Sequence, residues 1–150
     1  MPGRLESRRG AGRTAPWPDG AANLLGGKQE EPGATLFLAN CVSCHGTDGK
    51  GRAPYIPPLA GNPVVLDSNP SSLINLVLNG AEPLVVKGTP DAYRMPPYRV
   101  QLTNDEIAQV LTFVRAAWGS GAASVTADQV KALRPVTDPS SDRVIILKMR

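Results

Sequence analysis

Cys41-Val42-Ser43-Cys44-His45-Gly46 gathers the residues best suited to chemistry in a chain of 150 that has two cysteines and one histidine. Two thiols three positions apart sit about one helical turn from each other, so both can add to vinyl groups along one edge of a flat porphyrin. The adjacent imidazole then lands over the metal. A Cys-x-x-Cys-His run is accordingly the attachment signature of c-type haem, with Cys41 and Cys44 as linking thiols and His45 as the proximal nitrogen. Competing uses fit less well. A disulfide between Cys41 and Cys44 closes too short a loop to stabilise much, and a thioredoxin-type redox pair needs a βαβ setting that the sequence lacks. A structural zinc site is normally filled by four Cys or His ligands, one more than the chain contains.

The single histidine excludes bis-histidine ligation within one chain and leaves a methionine, a weaker ligand or an open site. Of three methionines, Met1 lies in the leader and Met149 in the tail. Met95 sits in Arg94-Met95-Pro96-Pro97-Tyr98, a proline-stiffened loop just before a capped helix. A lone loop methionine commonly just fills a gap. The order of parts, with thiols and histidine first, then a wrap of loops and one helix, then Met-Pro, favours Met95 as distal ligand. A thioether opposite imidazole favours reduced iron, which suits one-electron transfer. An open sixth position would instead mark a haem enzyme or gas sensor, and a chain without haem a structural or interaction module. No nucleophile stands beside a base, so no catalytic residue is assigned.

These groups must be positioned by a chain rich in breakers. Fifteen Gly and fifteen Pro with 5% aromatics indicate short helices separated by long irregular loops, an all-α fold rather than a sheet. With 41% hydrophobic residues a core can form, and haem would add the large apolar body it lacks. The formal charge of +3 is scattered rather than concentrated in one run, which argues against nucleic acid as partner. No apolar run is long enough to span a membrane.

Residues 1–32 read as a disordered leader or linker, with Arg4, Arg8, Arg9 and Arg13 among Gly and Pro. Ser7-Arg8-Arg9 lacks the apolar stretch that a twin-arginine export signal requires. A helix is predicted from Gly33, with Leu36, Phe37, Asn40, Cys41 and Cys44 on one face. Gly46, Gly49 and Gly51 break it. Pro54, Pro57, Pro58 and Pro63 hold the next segment extended, where the Pro57 carbonyl can accept the other His45 N–H and so set the ring plane. Ser68 or Asn69 caps a second helix with Pro70 at its first position and Leu73, Leu76 and Val77 inward, ending at Asn79-Gly80. Residues 81–101 are irregular. Thr103 and Glu106 form a capping box for the strongest helix, with Ile107, Val110, Leu111, Val114 and Trp118 on its apolar face and Gly119 as its stop. Thr126 caps a short last helix to about Arg134. The run Val144-Ile145-Ile146-Leu147 is too short to classify. The organisation expected is a leader 1–32, a domain 33–120 and a C-terminal extension 121–150.

Gly33, Phe37, Cys41, Cys44, His45, Pro57, Leu59, Met95 and residues 113–118 resemble, in this order, a class I c-type cytochrome domain. That resemblance implies a single-haem cytochrome c fold in which the first and last domain helices cross, bringing Gly33 and Phe37 against Phe113 or Val114. It also implies haem contacts from Pro57 and Leu59 and iron ligation by His45 and Met95. Over residues 33–134, Pro58-Leu59-Ala60-Gly61-Asn62-Pro63-Val64-Val65, Met95-Pro96-Pro97-Tyr98, Leu102-Thr103-Asn104-Asp105-Glu106-Ile107 and Val114-Arg115-Ala116-Ala117-Trp118-Gly119 resemble the last haem domain of the cytochrome subunit of membrane-bound alcohol, gluconate and related dehydrogenases. The implied role is electron transfer in the periplasm, from a dehydrogenase subunit to an oxidase, a quinone-linked complex or another cytochrome. Only one attachment motif is present, which fits either a terminal piece of a longer exported protein or a shorter separate carrier. Lys50, Arg52, Arg94 and Arg99 are the candidates for basic groups around the exposed haem edge.

Overall fold

The computed structural model describes residues 32–81 and 93–141. The arginine-rich leader, most of the loop before Met95, and the tail with Met149 and the apolar run 144–147 lie outside the described residues. Those described fold as α1 (Pro32–Asn40), α2 (Val42–His45), α3 (Pro63–Leu66), α4 (Ser71–Asn79), α5 (Asn104–Ala116) with a 3-10 turn (Ala117–Gly119), and α6 (Ala127–Val136). Among them no strand forms; two isolated antiparallel bridges, Arg52 with Ile56 and Ala81 with Met95, replace it. The fold is all-α, as expected.

α5 is the central helix because its ends and its face agree. Thr103 Oγ1 accepts from the Glu106 N–H at 3.2 Å, and the Thr103 N–H donates to Glu106 Oε2 at 2.8 Å, satisfying donors that an uncapped helix leaves open. Asp105 and Glu106 in the first turn and Arg115 in the last complement the helix dipole. Its face of Ile107, Val110, Leu111 and Val114 is buried and packs across α1. The crossing is close because position 33 has no side chain: a Cβ there would stand 2.2 Å from the Gln109 carbonyl oxygen. Phe37, with no exposed surface, then meets Phe113 at 5.6 Å between ring centroids. The contact of Gly33 and Phe37 with this end of α5 is the one the resemblance implied.

Several boundaries differ from expectation. α1 does not run through the cysteines unbroken. Cys41 interrupts it, although its N–H still bonds the Phe37 carbonyl at 2.9 Å and its own carbonyl accepts from the His45 N–H at 3.0 Å. The segment expected to stay extended to Pro63 ends in α3, since Asn62 Oδ1 accepts from the Val64 N–H at 2.9 Å and Pro63 takes the first helical position, where its missing donor costs nothing. Pro70 is the N-cap of α4 rather than its first residue. The side chain of Asn69 nevertheless accepts from the Ser71 N–H at 3.0 Å. The buried face of α4 is Leu73, Ile74, Val77 and Leu78, with Leu76 only half-buried. α5 stops at Ala116, before Gly119, and Trp118 takes a left-handed φ of 53°. Its indole leaves the helical stripe, lies 5.7 Å from Phe37 and donates to the Thr47 carbonyl at 3.1 Å.

The last helix is longer than expected, ending at Val136, and it does not stand apart. Val130 is fully buried in the same core as Phe37 and Ile107, with α6 packed on α4 and α5. Arg115, 1% exposed, ties further pieces to α5: its guanidinium donates to the carbonyls of Val65, Asp67 and Ala123 at 2.6 to 2.8 Å. Three carbonyl dipoles replace water around a buried cation.

Candidate haem attachment site

The attachment residues lie on α2, a helix of four residues, and at its N-cap, Cys41. No residue of α2 is buried by the chain itself, so the thiols and the imidazole remain available to a cofactor. Cys41 is half-buried, Cys44 exposed, and both are free thiols. Burial, and secondarily the neighbouring Cys44, push the Cys41 thiol up to about 11. That lowers the thiolate fraction available for disulfide exchange. Among the described residues no group of three or more Cys, His, Asp or Glu side chains could hold a bare metal ion.

Gly46 ends α2, and the chain then folds back on the motif. The Gly51 N–H donates to the His45 carbonyl at 2.9 Å, while the Gly49 carbonyl accepts from the N–H groups of Leu59 and Ala60 at 2.7 and 3.0 Å. This carries Pro57 to His45, and the Pro57 carbonyl oxygen stands 3.2 Å from Nδ1. A carbonyl can only accept, so Nδ1 carries the proton and Nε2 is the nitrogen left for iron. Burial lowers the imidazole's proton affinity, with the Pro57 bond opposing, and the neutral ring is the ligating form. Leu59 is partly buried against the core.

Met95 is half-buried and packs against the same core. Its backbone exchanges two hydrogen bonds with Ala81, each of 3.1 Å. Gly80 lets that pairing close up, since a Cβ there would lie 2.3 Å from the Met95 carbonyl oxygen. The residue that ties this segment to the motif is Tyr98. Its hydroxyl donates to the Asn40 carbonyl at 2.7 Å, one residue before Cys41, and its N–H donates to Val77 at 2.9 Å. The phenol's pKa is raised, first by burial and then by the thiols of Cys41 and Cys44. Sequence reasoning treated Tyr98 as part of a pattern without a role of its own. An aromatic with a polar tip after two prolines was the available signal.

The basic residues divide. Lys50 is exposed, with Asp48 4.0 Å away, and Arg52 is exposed as well. Arg99 is not a rim charge: its guanidinium donates to Asn79 Oδ1, Thr137 Oγ1 and the Arg134 carbonyl. Those acceptors come from two helices distant in sequence, which is why the chain alone did not reveal them.

Two thiols one turn apart and an imidazole with a fixed tautomer fit a covalent haem by the chemistry of the donor set. Comparison with known proteins agrees. A family model described as cytochrome c matches residues 30–118. The cytochrome c subunit of a quinone-dependent alcohol dehydrogenase from Gluconacetobacter polyoxogenes is 42% identical over 123 residues, 80% of this chain and 26% of that subunit. The gluconate 2-dehydrogenase cytochrome c subunit of Pantoea cypripedii is 37% identical over 76% of the chain and 26% of its own length. The chain thus spans about a quarter of the dehydrogenase subunits it matches. Cytochrome c-552 of Thermus thermophilus is 34% identical over 74% of this chain and 81% of its own length. With a match across more than half its residues and an attachment site built to suit, the chain belongs to the cytochrome c family, which transfers electrons through covalently attached haem c, here one haem.

Proposed function

We propose that His45 and Met95 ligate the haem iron from opposite sides and that the protein relays single electrons from a dehydrogenase toward the respiratory chain. The observation that carries this reading is the Tyr98 hydroxyl on the Asn40 carbonyl at 2.7 Å, because it binds the segment of Met95 to the residue preceding Cys41. The haem, when bound, supplies the one-electron couple. The chain's own residues do the rest. Cys41 and Cys44 hold the cofactor covalently, Pro57 orients the His45 ring, Leu59 adds an apolar contact, and Met95 completes the ligand set and biases it toward the reduced state. Residues 33–120 carry the haem, with the described part of 121–150 supporting them.

The dehydrogenase partner is inferred from the relatives' names; the acceptor would be an oxidase, a quinone-linked complex or another cytochrome. A periplasmic location follows from where c-type haem is attached. No described helix is long and apolar enough to cross a membrane. A second arrangement, a separate small carrier, is favoured by the 81% coverage of cytochrome c-552. The test of ligation is Met95→Ala in haem-loaded protein. The parent's ferric form should be low-spin with a weak long-wavelength sulfur-to-iron band, and the variant should lose that band, drop in potential and admit small ligands. A variant with the parent's spectrum and potential would refute Met95 as ligand.

A further inference from the structure

The segment carrying Met95 is held at its far end by Arg99 and by Arg134, the latter lying beyond the matched family region 30–118. Arg99 and Arg134 clasp each other's backbone. Arg99 Nη1 donates to the Arg134 carbonyl at 2.6 Å, and Arg134 Nη1 donates to the Arg99 carbonyl at 2.5 Å. Arg134 Nη2 reaches the Leu102 carbonyl at 2.9 Å, and its Nε reaches Asn104 Oδ1 at 2.7 Å. Asn79 Oδ1, at the end of α4, accepts from Arg99 Nε at 3.1 Å and Nη2 at 2.9 Å. Thr137 Oγ1 also accepts from Arg99 Nη2, at 3.0 Å.

The physical logic is that of a capped helix end used as an anchor. The last carbonyls of α6 have no partner within the helix, and Arg99 satisfies one of them with a cation at the negative end of the dipole. In return Arg134 grips the turn 99–104. The Leu102 N–H bonds the Tyr98 carbonyl at 3.0 Å, so the grip passes along hydrogen bonds from α6 through Leu102 to Tyr98, and from there to Asn40 beside the thiols. We propose that Arg99 and Arg134 are positioning residues for the Met95 segment, through which α6 sets how firmly Met95 is held in place. The inference rests on the reading of Met95 as ligand.

Haem-loaded full chain carrying Arg134→Gln tests it, with Arg134→Lys as a milder variant that keeps the charge but not the fork. An Ile107→Val control weakens the core without touching the clasp. Arg134→Gln should lose the sulfur-to-iron band on heating well before its helices melt and exchange the amide protons of Met95 and Tyr98 at least about tenfold faster, the factor for a local opening eased by one good hydrogen bond. The potential should fall as well. Arg134→Lys should lie between it and the parent, and Ile107→Val should lose band and helices together. If Arg134→Gln does not fold, the same ordering of band loss before melting is required of Arg134→Lys. Band loss that coincides with melting in the clasp variants, with amide exchange at the parent's rate, overturns the inference alone. A parent that lacks the band in the first place removes the ligation reading and this inference with it.

Discussion

A methyl group at position 33 would lie 2.2 Å from the Gln109 carbonyl oxygen and 2.8 Å from Phe113 Cβ, so Gly33→Ala must push α1 off α5 and should cost about 1 to 3 kcal/mol by denaturant titration. Phe37 beneath it is fully buried. Phe37→Ala removes a ring that touches both Phe113 and Trp118 and should cost about 3 to 5 kcal/mol. Trp118→Ala should cost less than Phe37→Ala in the same assay, because the indole is only half-buried. An equal or larger loss would mean that the bond to Thr47 matters more than burial. Tyr98→Phe keeps the ring and deletes one hydrogen bond to Asn40. The expected loss is about 1 kcal/mol, with the sulfur-to-iron band weakened by heat earlier than in the parent.

At the scale of the element, α5 shows how far capping reaches. Thr103→Ala removes a hydroxyl that satisfies the Glu106 N–H and should lower stability by about 1 kcal/mol. Glu106 adds a pH dependence. The Thr103 N–H, and then the Thr103 hydroxyl, donate to its carboxylate and hold its pKa below the ordinary value of 4.5. A carboxylate whose folded-state pKa is depressed contributes stability above its unfolded value and loses that contribution as pH falls through the folded one. The stability difference between parent and Glu106→Ala should therefore be constant near neutrality and shrink only below the ordinary carboxylate range. A difference independent of pH would show that the capping bond does not depend on charge. α6 repeats the motif with a neutral partner, Thr126 with Gln129, so its cap should not respond to acid.

For the whole molecule the question is how partners approach. Transient docking needs only a small interface whose rim charges govern the association rate. Lys50 and Arg52, exposed just after the motif, are the residues to reverse. Lys50→Glu with Arg52→Glu should slow reduction by an acidic partner, most at low salt, and leave the potential nearly unchanged. Rates indifferent to both the substitutions and ionic strength would exclude electrostatic docking there. Arg99, bound into the clasp with Asn79 and Arg134, would break the fold if reversed and cannot serve as a docking probe.

The single Cys-x-x-Cys-His run, the lone interior methionine and the breaker-rich composition determined by themselves that the chain carries a covalent haem on an all-α scaffold. Spacing along one helical turn is local information, and it needs no partner from elsewhere in the chain. The capping box at Thr103 and the cap at Thr126 were legible for the same reason, whereas the return bond between Gln129 and Thr126 was not read from the sequence. What only the tertiary structure decided are the contacts between residues far apart in sequence: Tyr98 on Asn40, Arg115 on the carbonyls of Val65 and Asp67, Trp118 on Thr47, and the clasp that brings α6 into the core. In each a side chain seeks a backbone carbonyl. Every residue has such a carbonyl, so no residue type marks the acceptor in advance, and only the packing of helices selects which one lies within reach.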